Sequence, residues 1–179
     1  MTAAHCVYVH EKNGWIKQMV FLPGVTDPES APFGQFDWEN INILKGYIDN
    51  YDGTNYGSAM PWDLAVITLA EDAGNQLGWI GFRVDDASKW PATIIGYPGD
   101  KPDGTMWTVS CDIGPDQFGD QIYYHTCDTF AGSSGSSMYE DAGGGDLYVR
   151  GINVAEDDKV NYGVRFIDSY YQFIIDNYK

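Results

Sequence analysis

Cys127-Asp128-Thr129-Phe130-Ala131-Gly132-Ser133-Ser134-Gly135-Ser136-Ser137 sets a run of hydroxyls around two glycines. Taken by itself the run reads as a Ser/Gly linker. Read for chemistry, it offers an alcohol among small residues, with glycines that let backbone N–H groups turn toward a developing oxyanion. An alcohol is a weak nucleophile until a neighbouring base accepts its proton, so this second reading needs two partners elsewhere in the chain. Thr2-Ala3-Ala4-His5-Cys6 leads small residues into a histidine, and Trp62-Asp63-Leu64-Ala65-Val66-Ile67 sets a carboxylate at the entrance of an apolar strand. Burying that carboxylate is expensive unless something hydrogen-bonds it. Separately, these are a structural histidine and a turn-capping aspartate. Catalysis requires all three segments together.

The rest of the chain bounds the setting. Its 179 residues can bury a substantial core, and 44% hydrophobic content with 21 Gly and 8 Pro describes a globular, turn-rich protein. The net charge of −16 argues against nucleic acid and anionic membranes as partners. The longest apolar run, residues 64–70, is far short of the ~20 residues that cross a bilayer. No zinc-site spacing joins the three His and three Cys, and the acidic loops at 49–52 and 141–146 lack a full calcium ligand pattern. Neither a metal nor a cofactor is expected.

Short β-rich stretches at 16–22, 41–47, 64–69, 92–97, 105–111, 121–126, 147–153 and 162–166 alternate with breakers such as Tyr51-Asp52-Gly53, Pro102-Asp103-Gly104 and Gly143-Gly144-Gly145. This pattern is all-β. From Asp168 the texture changes: Ile167, Tyr170, Tyr171, Ile174 and Ile175 form an apolar stripe, which predicts a terminal helix with Asp168 as its N-cap.

The order His5, Asp63, Ser134, with Gly132-Ser133-Ser134-Gly135, resembles the chymotrypsin-fold serine peptidases. Tyr97-Pro98-Gly99-Asp100-Lys101, Gly104-Thr105-Met106-Trp107 and the Cys127-Asp128-Thr129 lead-in are similar to the glutamyl endopeptidase branch, over essentially the whole chain. That resemblance implies two Greek-key β-barrels and a C-terminal helix, with the first barrel incomplete at its N-terminal side. It divides the chain into residues 1–75, carrying His5 and Asp63, a connection at 76–91, and residues 92–179, carrying Ser134.

The function implied is a secreted, monomeric serine endopeptidase acting on polypeptides, with a signal peptide upstream of Met1. Motif alignment favours Ser134 over Ser133 and Ser136 as nucleophile, and context favours His5 over His10 and His125 as base. Asp63 orients the imidazole, and the amides of Gly132 and Ser134 form the oxyanion hole. By the same resemblance Cys111 pairs with Cys127, which leaves Cys6 without a mate. Acidic side chains before the scissile bond are the expected preference, held by Thr129 and Asn153, with His125 as a further contributor. Asn153 stands where the branch has a histidine and carries no positive charge, so that preference is weakened. The alternatives are a trypsin-like peptidase of other specificity and a catalytically silent peptide binder.

Overall fold

The computed structural model describes residues 1–10, 14–51, 56–84 and 89–178. The Asp52-Gly53 breaker, with part of the acidic loop at 49–52, lies outside them.

The first half is built from short antiparallel pieces. A 3-10 turn at Ala4–Cys6 leads into β1 (Tyr8–Val9), which pairs with β2 (Gly14–Trp15). The strands β3 (Val20–Phe21), β4 (Phe36–Ile43) and β5 (Ala65–Leu69) form a second antiparallel sheet in that order. Thr2 and Ala65 exchange backbone hydrogen bonds of 3.0 and 2.8 Å, so the segment before His5 is stitched to the strand after Asp63. The strand expected over 41–47 stops at Ile43 because the chain turns into α1 (Lys45–Asp49), which buries Tyr47 with Ala4 and Ala59. A short helix α2 (Tyr56–Ala59) and a 3-10 turn at Met60–Trp62 then deliver Asp63 to the head of β5.

After α3 (Gly74–Leu77), the second half forms one large sheet. Its strands are β6 (Gly81–Phe82), β7 (Trp90–Gly96), β8 (Trp107–Ile113), β9 (Ile122–His125), β10 (Ser137–Asp141), β11 (Leu147–Glu156) and β12 (Asn161–Arg165). The hydrogen-bonded path runs β8-β7-β10-β11-β12-β9, with β6 joining β11 in parallel. The strands β8 and β9 are opposite ends of this path, yet Cys111 of β8 is disulfide-bonded to Cys127, two residues beyond β9. The sheet is therefore curled round on itself, and Trp90, Ala92, Ile94, Ile113, Tyr123 and Met138 pack together as one core cluster. A second cluster joins Leu44, Leu64 and Val66 of the first half to Ile152, Val154, Val164 and Phe166 of the second.

Two further expectations need correction. Helix α4 (Asp168–Asp176) forms where the stripe predicts it, with Tyr170 and Ile174 buried, but Asp168 is its first helical residue. The cap position belongs to the extended Ile167, with no side-chain cap bond. Strand β10 falls outside the expected strands because its alternation is masked by a buried acid: Met138 and Glu140 point inward together. Glu140 pairs with buried Arg150 at 2.7 Å and also with Arg83, while the Arg150 guanidinium lies 4.7 Å from the Trp90 ring centroid. Removing one member of such a group strands a buried charge. Glu140→Ala is therefore expected to cost about 3–5 kcal/mol, measured by denaturant unfolding, whereas Asp141→Ala at the neighbouring exposed position should change little.

Candidate functional site

Asp63 is fully buried and gathers three donors. The His5 backbone N–H donates to Oδ1 at 2.8 Å, His5 Nδ1 lies 2.6 Å from Oδ2, and the Tyr56 hydroxyl donates to the same Oδ2. A carboxylate offers acceptors only, so Nδ1 carries the proton and Nε2 becomes the acceptor once the ring is neutral. Burial alone would lower the His5 pKa, but the hydrogen bond from its ring to Asp63, with Cys6 and the charge of Asp63 assisting, outweighs this and raises it to about 10. The Tyr56 hydroxyl is pushed upward by burial and by the Asp63 charge, so it remains a donor. Tyr56 is absent from the sequence reading, although its trace is there: an aspartate entering an apolar strand demands donors, and a tyrosine stands seven residues before it.

His5 opens onto a cleft of about 320 Å³ lined also by Tyr8, His10, Tyr51, Tyr56 and Val154. The Ser134 hydroxyl donates to the Val154 carbonyl at 3.3 Å, and the Cys6 thiol, adjacent in sequence to His5, lies 3.7 Å from the Ser134 carbonyl. The structure thus brings Ser134 against Cys6, the neighbour of His5, and against Val154, which lines the His5 cleft, but among the described residues no hydrogen bond joins its hydroxyl to the His5 ring. His10, stacked on Tyr51 with centroids 3.9 Å apart, is part of the aromatic lining. Cys6 is free.

The loop bearing Ser134 is clamped to β11. The Gly135 N–H donates to the Asn153 carbonyl at 2.8 Å, and the Asn153 N–H donates to the Ser136 carbonyl at 2.9 Å. Gly132 has φ +102° and a Cβ there would lie 2.8 Å from the Tyr97 carbonyl oxygen; Gly135, at φ +84°, would collide with the Thr2 hydroxyl. Neither position accepts a side chain. The amides of Ser133, Gly135 and Ser136 donate to Phe130, Asn153 and Ser133, whereas those of Gly132 and Ser134 have no backbone acceptor among the described residues.

The residues expected to read the substrate also converge. His125 is fully buried, with Nε2 3.0 Å from Asn153 Oδ1, and Asn153 Nδ2 donates to the Ser133 carbonyl at 3.2 Å. Burial pushes the His125 imidazole down to about 4 in spite of that Asn153 bond, so it is neutral near pH 7. His125 and Thr129 line a second cleft, of about 480 Å³. Cys111, His125 and Cys127 place potential metal-ligating atoms within 4.8 Å of one another, but the two sulfurs are bonded to each other, so this trio does not fit a metal ion. Among the described residues no helix is long and apolar enough to cross a membrane.

No family model matches the chain. Among curated proteins it is 32% identical over 142 residues to an extracellular metalloprotease of Bacillus subtilis, covering 78% of this chain and 42% of that one. It is equally 32% identical over 141 residues to a glutamyl endopeptidase of Bacillus licheniformis, covering 78% and 41%. The chain thus spans about two fifths of the length of the curated relatives it matches. Among solved structures, a Glu endopeptidase in complex with MPD superimposes with a TM-score of 0.83 at 26% identity, over 98% of this chain and 79% of that one. The protease Anisep from Arthrobacter nicotinovorans has a TM-score of 0.73 at 18% identity, over 97% and 81%, and shows the shared fold alone.

The Asp63 cluster makes three measurable predictions. By NMR the His5 imidazole should titrate above 6.5, and Asp63→Asn should bring it down. Because the folded pKa is the higher one, the stability drawn from this pair is complete below about pH 6.5 and is lost as pH rises toward 10. Tyr56→Phe removes one donor from a buried carboxylate and should cost about 1.5–3 kcal/mol in unfolding free energy at neutral pH.

Proposed function

We infer, from a chymotrypsin fold and a sequence similar to a glutamyl endopeptidase, that this chain is a serine endopeptidase with His5, Asp63 and Ser134 as its triad. The observation that supports this best is the buried Asp63 carboxylate 2.6 Å from Nδ1 of a histidine whose cleft is lined by Val154, the residue whose carbonyl accepts from the Ser134 hydroxyl. In this reading the Ser134 oxygen attacks the scissile carbonyl carbon while its proton passes to His5 Nε2. Collapse of the tetrahedral adduct breaks the C–N bond, the same proton goes to the leaving amine, and an acyl-Ser134 ester remains. Water then repeats the sequence and frees the acid. Asp63 holds the ring in the useful tautomer and stabilises the imidazolium, and the amides of Gly132 and Ser134 receive the oxyanion.

Residues 1–75 would contribute the base and its orienting acid, and residues 92–179 the nucleophile. Secretion as a monomer accompanies this reading: disulfides such as Cys111–Cys127 persist in oxidising compartments. Preference for acidic residues is the finer specificity that the resemblance implies, with the Thr129 hydroxyl as its carrier. A fixed cation to answer the substrate carboxylate is not supplied by Asn153 or by neutral His125.

The test is covalent. A fluorophosphonate probe should label the chain at Ser134, and Ser134→Ala should abolish both labelling and peptide cleavage, a loss on the order of a millionfold in kcat. Asp63→Asn should retain Ser134 but lower kcat by roughly ten-thousandfold. Activity should rise with pH through a midpoint above 6.5, since the base works only when His5 has lost its proton. An unlabelled serine in folded protein would mark a peptide binder that does not cut.

A further inference from the structure

The second cleft adjoins the segment that leads into Ser134. Thr129 stands five residues before Ser134, and Glu156 stands two residues after Val154, whose carbonyl holds the Ser134 hydroxyl. Glu156 Oε1 accepts a hydrogen bond of 3.1 Å from the Ala131 amide, so this carboxylate reaches from the end of β11 to the segment leading into Ser134. The walls carry Asp128, Glu156, Asp157 and Asp158 against the single ammonium of Lys159 among the described lining residues.

The buried part of the cleft has its own hydrogen-bond signature. Asn153 Nδ2 is committed to the Ser133 carbonyl, so its Oδ1 faces His125 and the imidazole proton sits on Nε2. Nδ1 of His125 is then a bare acceptor, buried and without a partner among the described residues, and the buried Thr129 hydroxyl is likewise unpartnered. Buried polar atoms left in this state are costly, and an occupant that satisfies them gains accordingly. A carboxylate can accept from the Thr129 hydroxyl, but it offers Nδ1 no hydrogen and adds negative charge to an acidic rim. An ammonium, a guanidinium or a carboxamide brings donors.

We propose that this cleft selects, before the scissile bond, a side chain whose tip donates hydrogen bonds, lysine or arginine above all, and that Glu156 is the residue that sets this preference. The proposal rests on the peptidase reading and opposes an acidic preference. Like-charge juxtaposition is costly enough to make the discrimination visible in rates.

Matched fluorogenic peptides differing only in Lys, Gln or Glu before the cleaved bond should give kcat/KM in that order, with Lys above Glu by at least about tenfold. Glu156→Gln should shrink the Lys-to-Glu ratio severalfold, and Glu156→Lys should invert it. A Glu substrate cut as well as or better than Lys would overturn the proposal while leaving the peptidase reading intact, because the fluorophosphonate label reports that separately. If no peptide is cut, titration with butylammonium and with butyrate, followed through the His125 imidazole resonances, still decides. The cation alone should shift them; a response to butyrate, or to neither ion, overturns the proposal.

Discussion

A buried carboxylate with three donors is the constraint from which the first half of this molecule is built. An ionised Asp63 left unpaired in the interior would be strongly destabilising, so the His5 backbone, the His5 ring and the Tyr56 hydroxyl must all arrive together. They come from three pieces with little regular structure of their own: a 3-10 turn, a one-turn helix and the head of a strand. The Thr2–Ala65 exchange of backbone hydrogen bonds locks the first to the last. Orientation of the imidazole is therefore a by-product of satisfying a charge, and the side chain with the most chemistry has little freedom left.

Asn153 plays the corresponding part on the other side of the cleft. Its backbone clamps the loop of Ser134 through both N–H and C=O, while its amide side chain ties Ser133 to His125. Position of the Ser134 loop and the hydrogen bonding of His125 are thus both tied to one residue of β11. Strand β11 can bear this load because Val149 to Val154 are all buried, which fixes its register from both faces.

Much of the architecture was legible because its signals are local. The alternation in β7, the apolar run of β5 and the stripe of α4 each identify themselves, and the His, Asp and Ser segments could be joined through their order alone. What escaped depends on distant partners. Strand β10 hides behind Glu140, whose inward direction makes sense only when Arg150 and Arg83 are beside it. Tyr56 looks like any surface tyrosine until Asp63 is seen to need a third donor. Helix α1 interrupts an apparent strand because Tyr47 packs onto Ala4 and Ala59, residues far from it in sequence. Asp168 misled in a smaller way, since a residue suited to capping can also open the first turn.

The covalent tie between Cys111 and Cys127 closes the curled sheet at its two free ends, and the residues that follow the second cysteine, Asp128 and Thr129, line one wall of the cleft they share with His125 and Glu156. That wall is anchored at its root, so it has no independent route to fray. Local opening motions ordinarily concentrate in exposed connecting segments, yet here loosening of the wall would have to drag β8 with it. Thiol reductants would thus loosen this cleft first: the cut bond releases its wall while the buried aspartate, in the other half of the molecule, keeps its imidazole in place.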